Sequence, residues 1–397
     1  MVIPQRLDGE QQCLANELRQ ACSDRLAVSI LISALEAIFT SPTRELEEDR
    51  DNCRGRCTRN LPYPRFLVDE LSVSTLCSMG LDAGLIANRI DLFFKRIHAF
   101  IPMLHEHNFR NKYCVRDLET ERYNDLVVED ALTIMAMMAL SARFSSNDIF
   151  GQIPPKDRGE PFAIQARSLY DEALRLEKLD ECSLGLLQGC VLLAFYQQTS
   201  KPTTQSWLLI GTCCRFAIDL GLNNVDKDMT QNKDPSLFDE EPTVSWCSRE
   251  EKRRLWWLIW ELDIFASTIH RRPHMLDKDQ MNVLLPVSDK AWYSGKPTES
   301  AFMQTNVLHT WRTLSTSANQ DERAWLLVTT CLMAKAHDLS LHPRTTLQEL
   351  LDFDLTLNCF ALLLPMQFHL GPTSPAFNEN NFASQNWIIS TIFMLHT

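Results

Sequence analysis
Glycine is scarce in this sequence, 12 residues in 397, and no stretch alternates polar with apolar residues. Without period-two patterning and glycine turns, a fold based on sheets has little to build on. No apolar run reaches the roughly 18–20 residues of a membrane span. The richest runs, ALTIMAMMAL and LGLLQGCVLLAFY, fall well short, and the start, MVIPQRLDGEQQ, lacks the apolar core of a secretory leader. The G-x-S-x-G, P-loop and dinucleotide fingerprints are missing too. The 13 cysteines are scattered and none sits in a C-x-x-C pair. They read as small core residues in a reducing, intracellular setting. The closest spacings are the adjacent Cys213–Cys214 and the Cys53–Cys57 pair of CRGRC, a poor start for a metal site. His105 and His107 of LHEHNF, at i, i+2, point different ways on a helix, and no neighbouring ligands complete a set.

What is present is helix-forming and apolar. The chain is 45% hydrophobic, enough for a sizeable core, and 51 acids against 39 bases give a net charge of −12. Charge of that sign repels DNA and anionic membranes, so any nucleic-acid contact requires a local patch. One helical tract follows another, and the expected fold class is all-α, a multi-helix bundle of antiparallel helical hairpins.

The organisation divides into a helical segment over 1–40, a charged linker and lead-in over 41–82, and a helical domain over 83–397. The linker carries Arg44, Arg50, Arg54, Arg56, Arg59 and Arg65, diluted by Glu47, Glu48, Asp49 and Asp51, and reads as a solvated tether. In the domain, Leu85, Arg89, Phe93, Ile97 and Phe100 share an i, i+4 track that Pro102 ends. Pro161 suits the first turn of a helix whose stripe is Phe162, Ala166, Leu169, Ala173 and Leu176. Two helices joined by TSKPTT suggest a hairpin, with Gly221 as a left-handed cap on its second arm. Residues 223–247 read as a loop, and further helices are expected around 321–340 and 345–370. The final run, SQNWIISTIFMLHT, stops in mid-helix, so material beyond Thr397 is expected.

The stretch SREEKRRLWWLIWELD, Ser248–Asp263, decides the functional reading. Basic residues beside aromatic rings suit nucleic acid, with cations for phosphates and flat faces for bases. Ser248 and Glu251 form an S-x-x-E pattern that predicts a helix start at Arg249, running to Ile269. On that helix Trp256 and Trp260 are i, i+4 partners expected to stack, and Arg253, Trp257 and Glu261 share a track. Glu250, Glu251, Glu261 and Asp263 lie within the same few turns, so the arginines have acids at hand. The balance favours a packed helix that pins the following loop, in which Asp263 can pair with Arg271 or Arg272.

The segment EEKRRLWWLIWELDIFASTIHRRPHMLDKDQMNVLLP resembles the signature of the fungal-specific transcription factor domain, the middle homology region of fungal zinc binuclear cluster regulators. The matching residues are Glu251, Arg253, Arg254, Trp256, Trp257, Asp263, Arg271, Arg272, Pro273, Leu285 and Pro286. That family often has glycine where this chain has Arg271. FFKRIHAFIPMLHEHNF is similar to the domain's opening, through Phe93, Phe94, Pro102, His105 and Phe109. SWLLIGTCCRFAIDLGLN is similar to the part before the signature, through Trp207, Gly211, Arg215, Ala217 and the Leu220–Leu222 turn.

The resemblance implies a helical regulatory domain in a nuclear regulator of RNA polymerase II transcription of metabolic genes. It implies no catalytic residues and no enzyme. It implies zinc only in a DNA-binding module of six cysteines, two C-x2-C-x6-C halves, a pattern this sequence does not contain. DNA is then met indirectly. The partners implied are transcription-related proteins, a full-length paralogue, a small-molecule effector and a dimer mate, with no membrane. Trp207, Arg215 and Trp257 are the candidate wall of an effector pocket. The alternative from another class is an all-α enzyme such as a terpenoid cyclase. It would require a D-D-x-x-D-like metal cluster, for which LDFDLTLN is a poor substitute.

Overall fold
The computed structural model describes residues 83–114, 126–145, 150, 153–175, 182–228, 243–277, 280–304 and 306–365. The helical segment expected over 1–40, the charged linker at 41–82 and the closing apolar run from 384 lie outside the described residues. Among the described residues there are eleven α-helices, short 3-10 turns and no strand, apart from one isolated bridge between Leu284 and Phe302. The fold is all-α. Its residues gather into two compact units, each with its own core.

One unit contains 83–98 and Glu106–Lys201, as far as these are described. Its helices are α1 (Ala83–Arg96), α2 (Glu106–Tyr113), α3 (Val128–Ser141), α4 (Glu160–Arg175) and α5 (Leu184–Ser200). Helix α3 is the centre: every residue from Ala131 to Ser141 is buried, so it is wrapped by neighbours on all sides. Helices α1, α4 and α5 pack against it. Gly189 lets α5 approach closely, because a Cβ there would sit 2.8 Å from Leu132 Cγ. Ser183 caps α5 by accepting from Leu186 N, and α4 buries Phe162, Ala166, Leu169 and Ala173, with Pro161 in its first turn. Helix α1 ends at Arg96, six residues before Pro102. The apolar spacing continues past it, but Ile97 N and His98 N both turn back to Phe93 O.

The other unit contains 99–105 and the described residues after 201. Its helices are α6 (Thr204–Asp219), α7 (Thr243–His270), α8 (Asp289–Ser294), α9 (Val307–Thr316), α10 (Glu322–Leu341) and α11 (Leu347–Leu363). Helix α6 starts at a reciprocal Thr203–Ser206 capping box and ends in Gly221, at φ 68°. Helix α7 is the long spine, packed against α6 and α10, while α9, α10 and α11 pack on one another.

Two local expectations require correction. Helix α7 begins at Thr243, six residues before the start that the Ser248–Glu251 pattern predicts, so Ser248 lies inside the helix. The extra turns form because Trp246 is buried in a cluster with Trp292 and Val287, and this packing outweighs a local capping preference. The ring contact on α7 is also different: Trp257 meets Trp260 edge to face, centroids 5.3 Å apart at 86°, one residue closer in sequence than the expected pair.

Candidate functional site
The signature residues meet along one side of α7, where a chain of charges runs through the core. Arg253 and Arg254 are almost wholly buried, and so are Asp226 and Glu250. Arg253 grips Asp226 with its fork, Nη2 to Oδ1 at 2.7 Å and Nε to Oδ2 at 2.8 Å, and its Nη1 reaches Glu250 Oε2 at 3.2 Å. Arg254 donates from Nε to Glu250 Oε1 at 3.1 Å and from Nη1 to Asp289 Oδ1 at 2.5 Å. Its guanidinium also lies over the Trp292 ring, 4.2 Å from the centroid. Burial alone would lower the pKa of both arginines. The acids outweigh it, Asp226 then Glu250 for Arg253 and Asp289 then Glu250 for Arg254, so both are raised and stay charged.

The same groups hold the irregular segment after the helix. Asp226 Oδ2 accepts from Leu284 N at 2.8 Å, and Glu250 Oε1 from Val287 N at 2.9 Å. Trp257 Nε1 donates to Leu284 O at 2.7 Å, and Arg254 donates to Val287 O and to Pro102 O. Asn319 Nδ2 supplies Pro286 O, and Leu285 N pairs with Ala301 O. A backbone without regular structure can be buried only if its polar groups find partners, and residues 284–287 find them in Arg254 and Trp257 of the signature together with Asp226, Glu250, Asn319 and the Ala301 carbonyl. The sequence–geometry link is direct: Trp257 and Arg254 donate to the Leu284 and Val287 carbonyls, while Arg253 holds Asp226, which accepts from Leu284 N.

The far end of the helix has its own device. Arg271 N donates to Thr268 O and Arg272 N to Ser267 O, the paired bonds of a Schellman turn, with Arg271 at φ 51°. This explains why glycine is frequent at that place in the resembling signature: the turn requires a left-handed residue. Asp263 does not pair with Arg271 or Arg272. Its Oδ2 accepts from Met275 N at 2.7 Å and Leu276 N at 2.9 Å, which fixes the loop through its backbone. Burial raises the pKa of this carboxyl, against the pull of those two N–H groups. Pro273 O accepts from Ser267 Oγ, and Arg272 lies over the Trp207 ring, 4.1 Å from the centroid.

Of the signature residues, Arg253, Arg254, Trp257, Asp263 and Pro273 thus converge on the loop, and Trp256 is core. Glu251 is half-buried, and the acid that serves both arginines is its neighbour Glu250. Asp226 and Asp289 were not legible as members, since each sits in polar surroundings in the sequence. Asp226 follows the Leu220–Leu222 turn so closely that the turn was the signal to use. The effector-wall residues occupy different environments: Trp257 is fully buried, Trp207 is half-buried under Arg272, and Arg215 is exposed, bonded to Gly211 O. An open cavity of about 310 Å³ beside the arginine cluster is lined by other residues, among them Gly221, Val225, Asp228, Arg249 and Lys252.

The comparison with known families agrees with this geometry. Residues 90–388 match the fungal specific transcription factor domain. The chain belongs to that family. It is 26% identical over 227 residues to the pigment biosynthesis transcriptional activator pigB of Monascus ruber, covering 55% of this chain and 36% of that protein. It is 23% identical over 330 residues to the sorbicillinoid biosynthetic cluster transcription factor 1 of Penicillium rubens, covering 75% and 51%. It is 27% identical over 225 residues to the Zn(2)-C6 fungal-type transcription factor FTF1c of Fusarium oxysporum f. sp. lycopersici, covering 53% and 23%. The chain therefore spans between about a quarter and a half of these relatives. No solved structure matches it. Among the described residues, no group of three or more His, Cys, Asp or Glu is placed to hold a metal ion, and no helix is long and apolar enough to cross a membrane.

Proposed function
We propose that this chain is the helical regulatory domain of a transcription regulator of the fungal zinc-cluster class. The observation that carries the reading is the inward neutralisation of Arg253 and Arg254 by Asp226, Glu250 and Asp289. A helix whose cations are spent on acids of its own chain is a scaffold for a domain, not a reader of phosphates. Zinc and direct DNA contact then belong to the family's six-cysteine module, whose pattern residues 1–397 do not contain.

In this reading the domain works in the nucleus, on RNA polymerase II transcription of metabolic genes. The pigment and sorbicillinoid pathways named for two relatives favour biosynthetic gene clusters. It acts through transcription-related proteins, a full-length paralogue, a second copy or a small-molecule effector. Trp207 and Arg215 are the members of the proposed effector wall with surface to offer, and Trp257 lies beneath. A ligand at Trp207 would displace Arg272 from the ring.

The test is a fusion of the full chain to a foreign DNA-binding domain at a reporter promoter. A change in expression relative to the foreign domain alone is expected. An unchanged reporter together with no transcription protein recovered by pull-down would sink the reading.

A further inference from the structure
Arg89 stands apart from the other buried arginines. It lies on the apolar track of α1 with no exposed surface, yet Nε, Nη1 and Nη2 are all buried without a hydrogen-bond partner. Its neighbours solve the same problem conventionally. Arg158 donates to Ile153 O and Ser145 O, and Arg143 donates to Ser200 Oγ. What Arg89 faces is the Phe150 ring, 4.8 Å from its Cζ, and Arg158 lies 5.7 Å from the same ring. Burial first and the Arg158 charge second lower the Arg89 pKa to about 10, so it remains a cation at neutral pH. Two cations therefore share one aromatic ring, and no acid among the described residues acts on Arg89.

Such an arrangement lacks a component. An unpaired buried ion carries a heavy desolvation penalty, and a cation–π contact returns only a part of it. Buried charges in folded chains are paired. The missing component is an anion, and a guanidinium fork matches two oxygens of a carboxylate or a phosphate in one plane. Arg158, only half-buried, supplies a second positive charge and an edge open to solvent.

We propose that Arg89, with Arg158 and Phe150, forms a binding site for the oxyanion group of a small molecule, a carboxylate or a phosphate. The site lies within the α1–α5 unit, apart from the signature network. It does not depend on the regulator reading, and its test uses no DNA.

Thermal unfolding of the full chain is followed in sodium phosphate, citrate and acetate, each against sodium chloride at matched ionic strength. Arg89→Met keeps the aliphatic stem, removes the charge, and is expected to melt no lower than the parent in chloride. Phosphate identifies a phosphate-type ligand; citrate or acetate identifies a carboxylate. A saturating rise of about 3–6 °C in the parent, absent from Arg89→Met and reduced in Arg158→Met, is the expected result. Equal shifts in parent and Arg89→Met would reflect general salt exclusion and overturn the site. Should Arg89→Met fail to fold, Arg89→Lys decides: it keeps the charge without the fork, and an undiminished response from it overturns the site as well. The sequence also places Asp148 two residues before Phe150. A fall in melting temperature for Asp148→Asn in chloride, with no oxyanion response in the parent, would assign the counter-charge to the chain itself and remove the ligand.

Discussion

Removing Asp226 tests the reading of the signature helix most directly. The carboxylate has no exposed surface and accepts three hydrogen bonds from Arg253 and one from Leu284 N. Breaking a buried ion pair from one side costs about 3–5 kcal/mol, because the other charge stays behind. The orphaned Leu284 N–H adds about 1–3 kcal/mol. Glu250 still holds Arg253 through Nη1, so part of the pair survives. The expected cost of Asp226→Ala is therefore about 4 kcal/mol, and Arg253→Met is expected to cost a similar amount. In the double variant both charges are gone, and the loss should stay near about 4 kcal/mol, giving a coupling energy of about 3–4 kcal/mol. Equilibrium urea unfolding, read by tryptophan fluorescence at unchanged m, measures all four chains. Single losses under about 1 kcal/mol, or losses that simply add, are the behaviour of exposed ion pairs. That result would refute the claim that these arginines are neutralised inside the fold.

Two further expectations follow from local geometry. Arg271→Gly relieves a left-handed residue at the end of α7 and should add about 1 kcal/mol, raising Tm by about 2–4 °C, while Arg271→Val should lower it; a rise with valine would contradict the Schellman turn. Burial pushes the Glu261 carboxyl up to about 7 against its ion pair with Arg323, so the folded chain holds a proton that the unfolded chain releases above about 4.5. Relative to Glu261→Gln, the parent should lose stability as pH rises from about 4.5 to 7 and level off above that, and parallel stability–pH curves for the two chains would rule this out.

The helices were legible because their signal is periodic and local. Apolar spacing placed α4, α5, α6 and α10 close to their observed bounds, and Gly221 marked its turn correctly. What the sequence hid were relations between distant residues. Ser248 and Glu251 make a credible cap on paper, but Trp246 finds Trp292 and Val287 across the loop, and that contact continues the helix through the cap. Asp226 reads as one more acid in a polar loop until Arg253, 27 positions later, is folded onto it. Asp263 looks like a partner for the arginines that follow α7. Backbone N–H groups of Met275 and Leu276 claim it first, since a loop folding back over the helix presents its donors at shorter range. Arg89 was placed on an apolar track with no sign of its role, and only the structure shows that nothing among the described residues pairs with it.

The question raised by basic residues beside a tryptophan pair comes down to where the charge goes. At a nucleic-acid surface, cations stay solvated until phosphates replace their counterions, and that release supplies the binding energy. Here two guanidinium groups already meet three carboxylates, and neither retains appreciable exposed surface. Phosphates could replace these acids only by opening the core and unpairing the backbone of residues 284–287. The arginines, the indole of Trp257 and the Leu-Pro segment thus form one unit, in which charge substitutes for regular secondary structure. This accounts for the signature's composition without any contact to DNA: the motif keeps an irregular buried segment in place, and positions on it answer to the fold.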